Sequence, residues 1–121
     1  MAEAPRKRPD GSIVLLRLGA HVAARPRPVF EVIARILNPG PDAHSDFLAD
    51  PARSLVVAQG GWWYRAEYRV VPDDKGSHVD HYLINTSGRE SRFGTPVGHK
   101  QVAAAPEEFD RLIARLRDEL E

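Results

Sequence analysis

Apolar and polar residues alternate near the start of the chain, and this alternation predicts a strand over residues 13–24. Every second side chain from Val14 to Val22 is apolar, whereas Arg17 and His21 fall on the opposite face. A period of two is typical of a sheet strand with one buried face. The first element is therefore predicted to be a half-buried strand.

Helical spacing replaces the period of two directly afterwards. Apolar residues recur three and four positions apart over residues 29–37, after Pro28, which suits the first turn of a helix. Residues 38–41, Asn-Pro-Gly-Pro, end this helix. A second short helical piece is expected to hold Phe47 and Leu48. The sequence thus predicts one or two short helices after the first strand.

Three strand candidates follow in a row, over residues 53–59, 62–71 and 77–86. Gly60-Gly61 is a two-residue hairpin signal between the first two, and residues 73–76 form a polar turn between the last two. Turns centred at these positions predict the following pairs: Val57 with Tyr64, Leu55 with Ala66, Val70 with Val79, Tyr68 with His81, Ala66 with Leu83, and Tyr64 with Asn85.

Both turns assign the same side chains of the middle strand to one inner face. These side chains are Trp62, Tyr64, Ala66, Tyr68 and Val70. On the opposite, outer face, Arg69 lies across from Asp80, and Arg65 is expected to point to solvent. Trp63 is also assigned to the outer face, either as ordinary surface or as the centre of a homodimer contact.

The end of the chain is predicted to be a long amphipathic helix. Its apolar stripe consists of Phe109, Leu112, Ile113, Leu116 and Leu120. The helix begins either at Pro106 or, with Thr95 as its N-cap, at about Pro96 with a kink at Pro106, and the longer form is favoured. The stripe needs an apolar partner, and the inner face of the sheet is the obvious one.

This order of elements resembles the SRPBCC or START-like superfamily, whose helix-grip fold occurs in polyketide cyclases, lipid-transfer domains and plant pollen allergens. Three segments carry the resemblance: residues 24–30 (ARPRPVF), similar to the family pattern A-x-P-x-x-V-F; residues 62–81; and the closing helix. The resemblance implies an α+β fold in which an antiparallel sheet wraps round the C-terminal helix and leaves a cavity. Family members have six or seven strands and this sequence shows about four, so the chain resembles a shortened member.

Composition and charge narrow the function classes. The 121 residues allow one domain, predicted over residues 13–121 after a disordered, charged tail at residues 1–12. The chain has no cysteine and a formal net charge of +0, so thiolate chemistry and nucleic-acid binding are not expected. No apolar run is long enough for membrane insertion. The arginine-rich composition is typical of a bacterial genome, and the expected location is the cytoplasm.

The inner face carries the residues that are candidates for catalysis and ligand binding. His81 is the candidate general acid or base and Tyr68 its partner, since histidine titrates near neutral pH. The predicted ligand-binding residues are Trp62, Tyr64, Tyr68, His81, Leu83, Asn85, Phe109 and Ile113. No metal-ligand or nucleotide motif is present, so no metal and no cofactor are expected. The polar pairs either satisfy one another in a packed core or line a pocket.

Three functions follow from these alternatives. The first is binding of a hydrophobic or aromatic small molecule between the sheet and the last helix. The second is a polyketide cyclase or dehydratase activity in the same cavity. The third is an interaction protein with a filled core that acts through a dimer surface around Trp63.

Overall fold

Seven strands and two helices follow one another along residues 3–121, the part of the chain that this computed structural model describes, the side chain of Arg92 excepted. The main strands are β1 (Ile13–Val22), β2 (Asp46–Asp50), β3 (Leu55–Gly60), β4 (Tyr64–Asp73) and β5 (Gly76–Asn85). The helices are α1 (Pro26–Leu37) and α2 (His99–Leu120), and a small hairpin joins β6 (Ser91–Arg92) to β7 (Thr95–Pro96). The main sheet is antiparallel in the order β1-β5-β4-β3-β2. The predicted α+β class is confirmed.

The register between β4 and β5 is the predicted one. Tyr68 lies across from His81, and Arg69 lies across from Asp80. Asp73 fixes the turn because its Oδ1 accepts a hydrogen bond from the Lys75 amide at 3.0 Å. Each side chain of these two strands therefore lies on the face that the sequence indicated.

The register between β3 and β4 differs from the predicted one, and that prediction was wrong. The connection is the three residues 61–63 and not Gly60-Gly61, so Gly60 pairs with Tyr64 and Val56 pairs with Tyr68. An odd shift moves each β3 side chain to the other face. Val56 consequently enters the inner core, and Val57 packs on the outer side.

The second helical piece predicted around Phe47 and Leu48 is also wrong, because these residues belong to strand β2. Phe47 joins the inner core, whereas Leu48 packs with Leu55 on the outer side. Two adjacent apolar residues can both be buried in a strand whose sheet is covered on both faces. The main sheet therefore has five strands where about four were expected.

The strand β1 contains an irregularity that moves Val14 off the predicted face. Val14 pairs with Ile84, while Leu16 pairs with Leu83, so an extra residue bulges out between them. Beyond a bulge the alternation of faces is offset by one residue. Val14 is consequently exposed on the outer side.

The N-terminal strap, residues 3–9, lies on the outer face of the sheet, where a disordered tail was expected. The Ala4 amide donates a hydrogen bond to the Phe47 carbonyl at 3.1 Å, and Ala4 is buried against Leu48. Arg6 reaches Asp50 at 2.9 Å. The strap is thus held by backbone, apolar and ionic contacts to the β2 edge.

Arg65 lies beneath the strap and is 0% exposed, so its predicted solvent position is wrong. Its guanidinium donates to Glu67 at 2.8 Å, and to the carbonyls of Pro5 at 2.8 Å and Arg6 at 3.0 Å. Arg8 binds the same Glu67 carboxylate at 2.8 Å. A buried cation is tolerated when its N–H groups are satisfied in this way.

The inner face is covered by α1 and α2, which pack on each other and on the sheet. The helix α2 runs through Pro106 and carries the predicted apolar stripe, as in the longer predicted form. Its predicted start is wrong, because α2 begins at His99 with Gly98 as its N-cap, and Thr95–Pro96 forms strand β7. The main cluster of the inner core is formed by residues of all five main strands and both helices. No helix within residues 3–121 is long and apolar enough to cross a bilayer.

The approach of α2 to the sheet depends on Gly98. Its φ of +75° is a left-handed conformation, and a Cβ atom there would lie 2.7 Å from Cη2 of Trp63. Trp63 is only 8% exposed and packs with Leu83, Val97 and Ala105. Its predicted outer position is therefore wrong, and the Trp63 indole is not exposed at the surface where a dimer contact was considered.

Candidate functional site

A cavity of about 260 Å³ opens between strands β4 and β5 and helix α2. The sheet contributes one leucine and three ring side chains, and α2 contributes two rows that each contain polar and apolar residues. The lining residues are Tyr64, Tyr68, His81, Leu83, Lys100, Gln101, Ala104, Ala105, Glu108 and Phe109. Five of the eight residues predicted to bind a ligand are thus brought together: Tyr64, Tyr68, His81, Leu83 and Phe109.

The imidazole of His81 stacks with two aromatic rings at the cavity wall. Its centroid lies 4.3 Å from that of Tyr68, with an interplanar angle of 8°. The Phe109 ring on α2 lies 5.6 Å away at 16°. The β4–β5 register places the first pair directly across the strands, and the α2 stripe supplies the third ring. Stacked rings of this kind hold one another in place.

The hydrogen bond of His81 fixes which ring nitrogen carries the proton. Nδ1 lies 3.1 Å from the backbone carbonyl of Glu67. A carbonyl oxygen accepts hydrogen bonds only, so Nδ1 is the donor and Nε2 of the neutral ring is an acceptor. Burial lowers the pKa of His81 more than this hydrogen bond raises it. The ring is therefore neutral at pH 7.

The two tyrosines supply hydroxyl groups that stay protonated. Burial raises the pKa of Tyr68, and the nearby Tyr64 and the charge of Glu108 raise it further. Burial and Glu108 raise the pKa of Tyr64 in the same direction. A protonated phenol both donates and accepts a hydrogen bond. At neutral pH, the sheet side of the cavity therefore carries polar groups but no charge.

On the α2 side of the cavity, the sequence predicted Phe109 but not the other lining residues. Lys100, Ala104 and Glu108 form one row of the helix, and Gln101 and Ala105 belong to the adjacent row. Residues four apart lie on the same helix face, so the sequence spacing indicates that the members of each row lie together. The three consecutive alanines at 103–105 were the available signal, because small residues leave space where larger ones would pack against the sheet.

Three predicted ligand-binding residues lie outside this cavity. Trp62 is 46% exposed and lies on the loop between β3 and β4. Asn85 is fully buried, with Oδ1 accepting from the Ser87 amide at 2.9 Å and Nδ2 donating to the Arg89 carbonyl. Ile113 is part of the inner core. The structure thus assigns Asn85 to a turn and Ile113 to packing.

A larger concavity lies at the loops near Trp62. It measures about 640 Å³ and is lined by Trp62, Ser87, Arg89, Ser91 and Phe93. Of these residues, Phe93 is 94% exposed and Trp62 is 46% exposed. The smaller cavity between sheet and helix has the converging polar groups typical of a ligand site.

Within residues 3–121, no cluster of three or more His, Asp or Glu side chains is arranged to hold a metal ion. On the outer face, His21 pairs with Asp73 at 2.7 Å and His78 pairs with Asp80 at 3.2 Å. These are ion-pair contacts of one histidine with one carboxylate each.

Acidification is expected to destabilise the protein through His81. Because its pKa is lowered by burial, the unfolded chain takes up a proton near the ordinary value of 6.5, and the folded chain does so only at lower pH. The free energy of unfolding should therefore fall with decreasing pH below 6.5, by up to about 1.4 kcal/mol per pH unit, until the folded pKa is reached. Above pH 6.5, His81 makes its full contribution to the free energy of unfolding.

The measurement is urea unfolding between about pH 5 and 8 for the wild type and His81→Phe. Phenylalanine keeps a ring for the stack with Tyr68 and removes the titration. The unfolding free energy of the wild type minus that of His81→Phe should decrease as the pH falls below 6.5. A difference that is constant over this range would show that His81 titrates at its ordinary value.

Comparison of the chain with models of protein families and with curated proteins found no match.

Proposed function

We propose that the protein binds a small aromatic molecule in the cavity between β4, β5 and α2. The observation that carries the proposal is the lining itself: three aromatic residues and His81 converge on one space of about 260 Å³. Small-molecule sites combine apolar and aromatic walls with a few placed polar groups. The stacked rings of Tyr68, His81 and Phe109 provide a rigid aromatic wall of this kind.

The volume limits the size of the ligand. An apolar cavity of about 150 Å³ in another protein holds one benzene molecule. The cavity of about 260 Å³ is less than twice that size, and typical drug-sized ligands occupy about 300–1,000 Å³. A molecule with one ring or two fused rings therefore fits, whereas a long acyl chain would extend into solvent.

We also propose that the chain is a shortened relative of the SRPBCC or START-like superfamily. The support is the placement of β1 beside the last main strand, β5, and the packing of α2 on the sheet. The joint between β1 and α1 carries the ARPRPVF segment on which the resemblance depends. The main sheet has five strands, fewer than in that superfamily, and this smaller number is consistent with a small cavity.

Binding is proposed ahead of the cyclase or dehydratase alternative. Binding needs only the shape and the lining, whereas acid–base catalysis needs groups matched in pKa to their task. The raised pKa of Tyr68 makes it a poor source or acceptor of protons near pH 7. The filled-core alternative is disfavoured by the cavity and by the burial of Trp63.

The test uses naphthol as the probe and a matched pair of helix variants. Ala104 lines the cavity at its mouth, and Ala103 is exposed on the same turn of α2 outside the lining. In Ala104→Trp the indole should occupy the mouth and abolish calorimetric binding of naphthol. Ala103→Trp adds the same side chain at an exposed site and should bind as the wild type does.

Either of two results would contradict the proposal. The wild type could fail to bind naphthol or any one- or two-ring aromatic probe at millimolar concentration. Alternatively, both tryptophan variants could bind as well as the wild type, which would locate the probe outside this cavity. Circular dichroism of both variants checks that α2 has kept its helical content.

A further inference from the structure

His81 offers the cavity a single kind of polar contact. Its Nδ1–H is committed to the Glu67 carbonyl at 3.1 Å, so the proton cannot be offered to a ligand. Its ring stacks with Tyr68 and Phe109. What is left for a ligand is the edge of the ring that carries Nε2. This nitrogen is an acceptor only.

Nε2 reaches the cavity surface. Among the described residues, no buried side-chain nitrogen or oxygen lacks a hydrogen-bond partner. The described residues give Nε2 no hydrogen-bond partner, although His81 as a whole is only 5% exposed and lines the cavity. Nε2 is consequently open to whatever the cavity contains.

The other polar groups of the inner wall do not impose a comparable requirement. The hydroxyls of Tyr64 and Tyr68 rotate, and each can donate or accept. Glu108, Lys100 and Gln101 are exposed residues of α2 and therefore keep their hydration. His81 is the buried group whose role is fixed, because both its tautomer and its ring plane are held by neighbours.

We infer that the ligand is a planar aromatic molecule bearing an O–H or N–H group that donates a hydrogen bond to Nε2 of His81. This inference rests on the proposed function and specifies its ligand class: phenols and aromatic N–H heterocycles bind, and the corresponding ethers and N-methyl compounds are rejected. A buried acceptor that loses its partner costs roughly 5–150-fold in an equilibrium constant. The contact is a hydrogen bond between two neutral groups: burial disfavours a charged imidazole, so the proton stays on the ligand, and no covalent bond changes.

The closing experiment compares naphthol with its methyl ether, methoxynaphthalene, by calorimetric titration of the full chain. The two probes share one ring system and differ in whether the oxygen carries a proton. Naphthol should bind at least tenfold more tightly to the wild type. In His81→Phe the ratio between the two probes should fall to within about threefold, because the acceptor is gone and the aromatic wall remains.

Each outcome has a distinct consequence. If both probes bind the wild type with equal affinity, the inference is overturned and the proposed function stands. If neither binds, the proposed function fails.

Because His81→Phe also removes the hydrogen bond to Glu67, the ring-nitrogen chemical shifts of the wild type provide a second readout. The Nε2 resonance should be that of an unprotonated nitrogen and should move on addition of naphthol but not of the ether; a protonated Nε2 would overturn the inference.

Discussion

Leu116→Asp is expected to leave the protein unfolded at room temperature. Leu116 is 0% exposed and sits where α2 packs on the inner core. Removing the leucine side chain costs about 2–5 kcal/mol, and placing a carboxylate in the same apolar site adds several kcal/mol more. A domain of this size has about 5–15 kcal/mol in total. The sum of the two costs is therefore of the order of the whole stability.

Ala114→Asp is the matched control for this prediction, because Ala114 is exposed on the same helix. The control introduces the same charge and a loss of helix propensity at least as large, about 0.5–0.7 kcal/mol. Far-ultraviolet circular dichroism and thermal melting distinguish the two variants. A cooperative melt of Leu116→Asp near the wild-type temperature would mean that α2 is not docked on the sheet.

Glu67→Gln is expected to cost about 3–5 kcal/mol, the range for breaking a buried ion pair from one side. Glu67 is buried and binds both Arg65 at 2.8 Å and Arg8 at 2.8 Å. Burial by itself raises the pKa of Glu67, but the hydrogen bonds and charges of Arg8 and Arg65 outweigh it and the pKa is lowered. Loss of the Glu67 carboxylate leaves the fully buried Arg65 without a counter-charge and detaches the Arg8 end of the strap.

The matched control is Glu31→Gln, which breaks an exposed i,i+4 pair with Arg27 at 2.7 Å. Exposed pairs of this kind contribute about 0.3–0.5 kcal/mol. Urea unfolding of both variants at pH 7 measures the difference. Because the folded pKa of Glu67 is lowered, its contribution is complete above the ordinary value of 4.5 and is lost as the pH falls through the folded value. Equal costs for the two variants would show that the strap does not bury this network.

The part of the fold that the sequence predicted well is the part fixed by local chemistry. The polar turn at residues 73–76 and the clear alternation of β4 and β5 determine their pairing, including Tyr68 with His81. The pattern was ambiguous for β3, where Leu55, Val56 and Val57 are all buried. A continuous apolar run does not reveal which residues face inward. The loop length, and with it the register, was consequently misread.

The outer face was unpredictable because its partners are far apart in sequence. Arg6, Lys7 and Arg8 read as a solvated terminus, yet Arg8 meets Glu67 at a separation of 59 residues. The carbonyls of Pro5 and Arg6 accept from Arg65 across a similar distance. Backbone acceptors carry no sequence signal, so no pattern could have shown that Arg65 would be buried.

The candidate site also has a part that the sequence predicted and a part that it did not. Tyr64, Tyr68, His81 and Leu83 followed from the register, and Phe109 followed from the helix stripe. The mouth of the cavity depends on how α2 crosses the sheet, which Gly98 and Trp63 determine by close contact. The acceptor role of Nε2 depends on one backbone carbonyl. Neither property can be derived from residue types along a single chain.

The most direct test of the proposed binding site is to locate bound naphthol by intermolecular nuclear Overhauser effects. We predict contacts from the probe to ring protons of Tyr64, His81 and Phe109, which line one cavity. Contacts confined to Trp62 and Phe93, at the open concavity on the loops, would contradict it.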